Sequence, residues 1–460
     1  MEDFEWASDY AALCAPYSFS IVLGPHGKEM RANAPANPGQ SLLVESPIVA
    51  WPVRASAAAD AYTFCENCLK IRPFQKEQLS DSSNESHRCK VRLCGTSAPR
   101  NATDTEVLST ANAVQAEDGQ QGEGTVLPQT QSEASEETGV CMHDGEGHTF
   151  WFCSSHCHQQ AFGCPIPVGE ATTDPFCMQS PSSRKRGMDG YLRATQSKPP
   201  SNSSSKNPSD VSSVRRVFGW QEFLSPEGLR TLRGKDQRRL NGSSGLPVEE
   251  DHENPVGLEA LARVVARIAA TTASLHAMGG WSLENAYAEA CRPFLRLARA
   301  EATEAHSAFD LSIACLDLRA VLDMKISAVL GSDIATALLG IEGLAFLYGT
   351  LMRNAQSLLM WGATNEGSLM VLRAAGVYLL QACCNHSCIP NCSVENIEDA
   401  SITLRAERPI AEGDELTISY VPLSLPQKKR QALLDSYRFT CDCARCVQER
   451  QQDQHQREYQ

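Results

Sequence analysis

Across residues 255–380 apolar positions recur three and four places apart, the spacing that lines one face of a helix. The run GLEALARVVARIAATTASLHAM shows it most fully, and stretches near 284–301 and 334–352 repeat it. No fixed period links these runs, so they predict a packed helical region and not a solenoid. The pattern changes on either side. Residues 18–53 read as short strands parted by turns: SFSIVLG, then the turn-rich GPHGKEMRANAPANPGQ, then SLLVESPIVAWP. Residues 391–421 return to strand-like segments, SITLRAERPI and ELTISYV, joined by the turn AEGD. A basic helix, PQKKRQALLDSY, leads into RFTCDCARC and a Gln-rich tail. The order is β, cysteine-rich, helical, β, cysteine-rich, and the fold class it predicts is α+β.

Three segments stand apart. Ile334 to Met352 carries one charge, Glu342, but also Gly340, Gly343 and Gly349. An acid at mid-bilayer is costly, so a buried core helix is expected and no membrane partner. Residues 101–140 hold eight acids and no Lys, Arg or aromatic residue. Such a stretch buries too little apolar surface to offset ordering, and a disordered acidic insert over 76–140 is expected. Residues 178–250 read as a basic linker rich in Ser and Pro. Its Arg184-Lys185-Arg186 is a candidate nuclear address, against plain solubilising charge, so nucleus and cytoplasm both stay open.

A chain of 460 residues has room for two or three domains, and its net charge of −14 excludes a chain-wide nucleic-acid surface. No direct nucleic-acid partner is required. The 19 cysteines change the picture. The N-terminus, MEDFEWASDY, lacks the basic and apolar regions of a secretory signal. In a reducing compartment such cysteines read as metal ligands, not disulfides. Nine lie between Cys65 and Cys177 and seven between Cys383 and Cys446, while Cys14, Cys291 and Cys315 read as small buried hydrophobes.

Cys65-x2-Cys68 is answered by Cys153-x3-Cys157. Each pair chelates from one tight turn, and together they close a tetrahedral zinc site. Candidates for a second zinc are Cys141, His143, His158 and Cys164, with His148 and His156 as further options and Cys89 and Cys94 outside them. Cys441, Cys443 and Cys446 form Cys-x-Cys-x2-Cys, which needs a fourth ligand from elsewhere. The run QACCNHSCIPNCS supplies candidates, Cys388 before Cys383, Cys384 and Cys392.

NHSCIPN at 385–391, GDELTISY at 413–420 and the final Cys-x-Cys-x2-Cys together resemble the SET domain of protein lysine methyltransferases with its post-SET zinc. A cysteine-rich module interrupting the N-terminal part is similar to the SET-and-MYND (SMYD) family. In the early motif Gly27, Arg31, Ala32, Pro38 and Gly39 match that family, whereas Glu29 stands where it has a second glycine. LMRNAQS resembles the family's asparagine-containing segment and places Asn354.

The resemblance implies a β-rich SET fold interrupted by a MYND-like zinc module and a helical insert, closed by a post-SET zinc. It divides the chain into a first SET part at 17–64, the zinc module at 65–177, the linker at 178–250, the helical insert at 251–350, a second SET part at 351–422 and the post-SET segment and tail at 423–460. It implies S-adenosylmethionine and zinc as cofactors and transfer of a methyl group to a lysine of a protein partner, histone or otherwise. Tyr420 then matches the catalytic tyrosine, Gly27, Asn354, Asn385, His386 and Phe439 the cofactor contacts, and Tyr437 an aromatic of the lysine channel. The rival reading is a catalytically silent adaptor that binds partner proteins through its zinc module: intact Asn385, His386 and Tyr420 favour the enzyme, Glu29 the adaptor.

Overall fold

Seventeen of the twenty residues of the helix Leu258–Ala277 are buried, so its apolar stripe widens into burial all round, the signature of a central core helix. Packed on it are the helices Pro226–Gly242, Leu283–Leu295 and Leu311–Leu330 and the strand Val49–Ala55. The computed structural model describes residues 5–55, 62–73, 92–94, 139–143, 149–165, 216–242, 255–363, 369–396 and 398–458. The segment expected as one core helix at 334–352 is two, Ser332–Leu339 and Ile341–Asn354, bent by 49°. The break falls at Gly340, where a Cβ would stand 2.6 Å from the Thr336 carbonyl oxygen. No single described helix is long and apolar enough to cross a membrane.

Small sheets flank this helical body, and the α+β class read from the sequence is the architecture found. Val49–Ala55 pairs antiparallel with Leu369–Val377, which pairs with Ala355–Ala363. A second antiparallel sheet joins Cys392–Glu395, Ile402–Ala406 and Ser41–Glu45. The two-residue strand Asn385–His386 runs parallel to Thr417–Ile418, which sets the NHSC motif beside the GDELTISY motif. The loop before it is held by buried Glu45, whose carboxylate accepts the N–H groups of Leu379, Leu380 and Gln381 at 2.8, 2.8 and 2.9 Å. Burial is the larger influence on that carboxyl and raises it to about 7 against those hydrogen bonds.

Several expectations need correction. The turn-rich stretch after SFSIVLG contains a strand, Gly27–Ala32, paired in register with Phe19–Gly24 through the tight turn Pro25-His26. Pro25 lies in that turn and Gly24 and Gly27 flank it, whereas Pro35, Pro38 and Gly39 follow the strand, from which Met30 and Ala32 are buried. The linker reading of 178–250 fails over Arg216–Phe218 and Pro226–Gly242, because Phe223, Leu224, Leu229 and Leu232 find the central core. Within the expected insert, Arg92–Cys94 pairs with the strand Gly139–His143. The remainder of 101–140 lies outside the described residues.

Candidate active site

The hairpin tip, the end of the helix Ile341–Asn354, the Asn385–His386 strand and the segment after the helix Gln427–Leu434 converge on one cleft of about 780 Å³. Gly27, Asn354, Asn385, His386, Tyr420, Tyr437 and Phe439 all line it. Gly27 adopts φ +100°, a left-handed region that L side chains rarely adopt, and nothing lies within 4 Å of where its Cβ would be. The backbone therefore turns sharply at the rim with no side chain in the way.

Hydrogen bonds orient Asn385, Asn354, His386 and Tyr420 in the cleft. Asn385 Nδ2 donates to Glu415 Oε1 at 2.8 Å and to the Lys28 carbonyl at 3.3 Å. Asn354 Nδ2 donates to the carbonyls of Ala298 and Thr350 at 2.6 and 2.7 Å, tying the helix end to the insert. His386 Nδ1 accepts the Tyr420 N–H at 3.0 Å, so its proton sits on Nε2, 3.2 Å from Cys388 Sγ. Burial, with Arg430 nearby, lowers that imidazole to about 4 and keeps it neutral. The Tyr420 hydroxyl donates to the Cys384 carbonyl at 2.6 Å, and burial raises its pKa well above the ordinary tyrosine value. Tyr437 lies 5.0 Å from the Tyr420 ring and Phe439 6.1 Å from His386, centroid to centroid.

Glu29 does not line the cleft. It is buried on the far side of the hairpin, where its carboxylate receives Arg31 at 2.6 Å and covers Gly24 so closely that a Cβ there would clash. Lys28 lines the cleft instead and donates through Nζ to the Arg296 carbonyl; burial lowers its ammonium from the ordinary value. Lys28 and Glu415 were not singled out from the sequence, although both stand inside the quoted motifs.

Two cysteine clusters complete the picture. The sulfurs of Cys65, Cys68, Cys153 and Cys157 all lie within 4.8 Å of one another, as do those of Cys388, Cys441, Cys443 and Cys446. Sulfur separations of 3.5 Å in the first and 3.5–4.0 Å in the second suit a tetrahedral Zn–S₄ centre, in which sulfurs stand about 3.8 Å apart. Thiolate is also a donor that suits zinc, so both clusters fit that ion. Cys383, Cys384 and Cys392 stay outside the second cluster as buried thiols. Of the candidates for a further zinc, the side chains of Cys141, His143 and Cys164 lie outside the described residues. His158 packs its ring between Phe152 and Phe162, and its Nε2 meets no partner among the described residues.

Comparison with known proteins fits this geometry. The SET domain family model matches residues 249–421, and the chain carries a SET domain. Similar proteins include a SET and MYND domain-containing protein of Dictyostelium discoideum, 37% identical over 129 residues, which are 27% of this chain and 23% of that one. The histone-lysine N-methyltransferase ATXR2 of Arabidopsis thaliana is 44% identical over 73 residues, 15% of each chain. Human histone-lysine N-methyltransferase SMYD3 is 43% identical over 72 residues, 15% of this chain and 17% of its own. The chain thus spans between 15 and 23% of the length of these relatives.

Proposed function

We propose that the chain is an S-adenosylmethionine-dependent protein-lysine N-methyltransferase. The observation that carries the reading is the convergence on one cleft of Gly27, Asn354, Asn385, His386, Tyr420, Tyr437 and Phe439, inside a SET domain. The cleft's volume falls in the range that encloses a small cofactor, about 300–1,000 Å³. Asn385, His386 and the Gly27 turn would hold the cofactor there, with Phe439 packing on its adenine.

When bound, S-adenosylmethionine supplies an electrophilic methyl group on a sulfonium sulfur. The residues supply position. A substrate lysine entering beside Tyr420 and Tyr437 meets two half-buried rings, a setting that favours the uncharged amine. Because the Tyr420 hydroxyl spends its proton on the Cys384 carbonyl, its lone pairs remain to accept from the incoming amine and fix its direction of attack. The bound cofactor would offer its methyl group to that nitrogen, and the part played by this chain's residues is to hold the two in line. Glu29, the residue that favoured the silent-adaptor reading, does not line the cleft, which supports the enzyme reading.

Incubation of the full chain with labelled cofactor, histones and a cell lysate tests the proposal. Tyr420→Phe is expected to lower the rate by about 10²–10³, the usual cost of one lost preorganised polar contact, with cofactor binding nearly unchanged. Methyl transfer at the parent rate by Tyr420→Phe would remove the role assigned to that hydroxyl. A parent chain that labelled no protein would overturn the enzyme reading itself.

A further inference from the structure

The helix Gln427–Leu434 carries the run Lys428-Lys429-Arg430, which reads as solvated charge. Arg430 is nevertheless fully buried. Buried charges are rare unless paired, so the destination of each of its donors matters. Nε lies 3.3 Å from Cys388 Sγ and Nη2 lies 3.5 Å from Cys446 Sγ. Nη1 donates to the Leu425 carbonyl at 2.7 Å, and Nη2 also meets Glu449 at 2.5 Å. Glu449 is shared with Arg445 at 2.9 Å, so the two arginines and one acid leave one positive charge against the sulfurs. Next along the helix, Gln431 accepts the Cys441 N–H at 3.1 Å and donates to the Phe439 carbonyl at 2.9 Å.

Four thiolates around a divalent ion carry a net charge of −2, a costly load inside a protein. At the C-terminal cluster, N–H donors point at these sulfurs: two from the Arg430 guanidinium and, by the tautomer derived above, His386 Nε2–H. The Cys65 cluster has no arginine or lysine bonded to its sulfurs among the described residues; Ser154 alone reaches one from outside, Oγ 3.9 Å from Cys153 Sγ.

We propose that Arg430 is a non-ligand part of the C-terminal metal centre, its guanidinium neutralising the thiolates and holding Cys388 and Cys446 in place for a zinc ion. A guanidinium suits this because its planar fork reaches two sulfurs at once, which an ammonium does not. Partners of this kind usually change metal affinity by about 10- to 100-fold. The metal half of the proposal stands apart from the methyl-transfer reading. The consequence for the cleft rests on that reading: Cys388 is the sulfur that meets His386, so holding it in place also holds one wall of the cleft.

The test uses the full, zinc-loaded chain with Arg430→Met and Arg430→Lys, and reads zinc release to a coloured chelator. Mass spectrometry of alkylated cysteines tells which cluster has opened. The expected result is that Arg430→Met loses the zinc of Cys388 and Cys446 at least about tenfold faster than the parent, while Cys65 and Cys153 stay protected. Arg430→Lys, which keeps charge without the fork, should fall between the two. In cobalt-substituted protein the sulfur-to-metal charge-transfer band should move to lower energy as the thiolates lose their donors. If Arg430→Met does not fold, Arg430→Lys decides by the same two readouts. Parent-like release and an unmoved band would overturn the proposal and leave Arg430 a packing residue. A chain that bound zinc this way yet transferred no methyl group would sink only the enzyme reading.

Discussion

The two four-cysteine clusters share a donor set and differ in everything around it. Cys65 and Cys68 lie on a tight turn closed by a Leu69 N–H bond to the Cys65 carbonyl, and Cys157 on a helix capped by Ser154. Beside that turn Glu66 meets Arg233 and Arg263, which also meet Glu259, two acids and two arginines packed between the turn and the central helix. None of these cysteines lines the cleft. At the other end, Cys441 and Cys443 are themselves cleft wall, and Cys388 touches His386. One centre fastens a module to the core by charge beside the turn; the other builds the site. The same chemistry therefore carries different consequences when it is lost.

Breaking a ligand in each centre gives the largest separation. Cys441→Ser is expected to remove one metal equivalent and, on the proposed function, to abolish the thermal stabilisation expected from S-adenosylmethionine, since the wall carrying Phe439 loses its anchor. Cys65→Ser should also cost one equivalent and lower the melting temperature, yet keep the cofactor-induced shift. Metal analysis with paired thermal scans checks both. Equal loss of the cofactor shift in the two variants would erase the distinction.

A smaller effect sharpens the role of the ion quartet. Arg263→Met leaves Glu66 and Glu259 buried with one cation fewer, and breaking such buried pairing typically costs about 3–5 kcal/mol. Urea unfolding should show that loss, while the cofactor dissociation constant of the folded protein stays within about threefold, under one kcal/mol. Unchanged unfolding would mean that apolar packing, not charge, fastens the module.

How much of this was legible follows the distance between partners in sequence. Cys65 with Cys68 and Cys441 with Cys443 declare themselves through short chelate spacing, and the central helix through its periodicity. The neighbourhood of Asn385, His386 and Tyr420 could be read from motifs, because the parallel pairing of their strands only juxtaposes stretches already marked. Arg430 was hidden in a basic run, since its sulfur partners lie 42 and 16 residues away. The helix Glu5–Cys14 carries helical spacing in Tyr10, Leu13 and Cys14, all buried, but its Asp9 gave no sign of burial: Arg292 and Arg296 come to it from the insert. The helix Pro226–Gly242 was masked by its Ser- and Pro-rich surroundings, although Leu229 and Leu232 carry the helical spacing.

The subtlest difference between the two ends lies at the mouth of the cleft. Arg438 stands between Tyr437 and Phe439 with a left-handed backbone, φ 60°, and reaches across to Glu301 at 2.6 Å and Glu304 at 2.7 Å. These two acids form the capping box of the helix Ala302–Ala308, and Arg353 joins Glu304 at 2.8 Å beneath the Tyr437 ring. The arrangement straps the C-terminal segment to the helical insert, but Arg438 and Glu301 are open to water, where charges interact weakly. Arg438→Ala should therefore weaken cofactor binding only about two- to fivefold, and the deficit should shrink as salt rises and screens the parent's pairs. Arg438→Gly loses the same pairs but relaxes the left-handed backbone, so it should bind better than Arg438→Ala. Calorimetric titration of the three proteins at two ionic strengths separates charge from backbone. If Arg438→Ala binds like the parent at low salt, the charges do not hold the mouth closed. The C-terminal cysteine cluster and the Gln431 bonds to Cys441 and Phe439 would then be what fastens that wall.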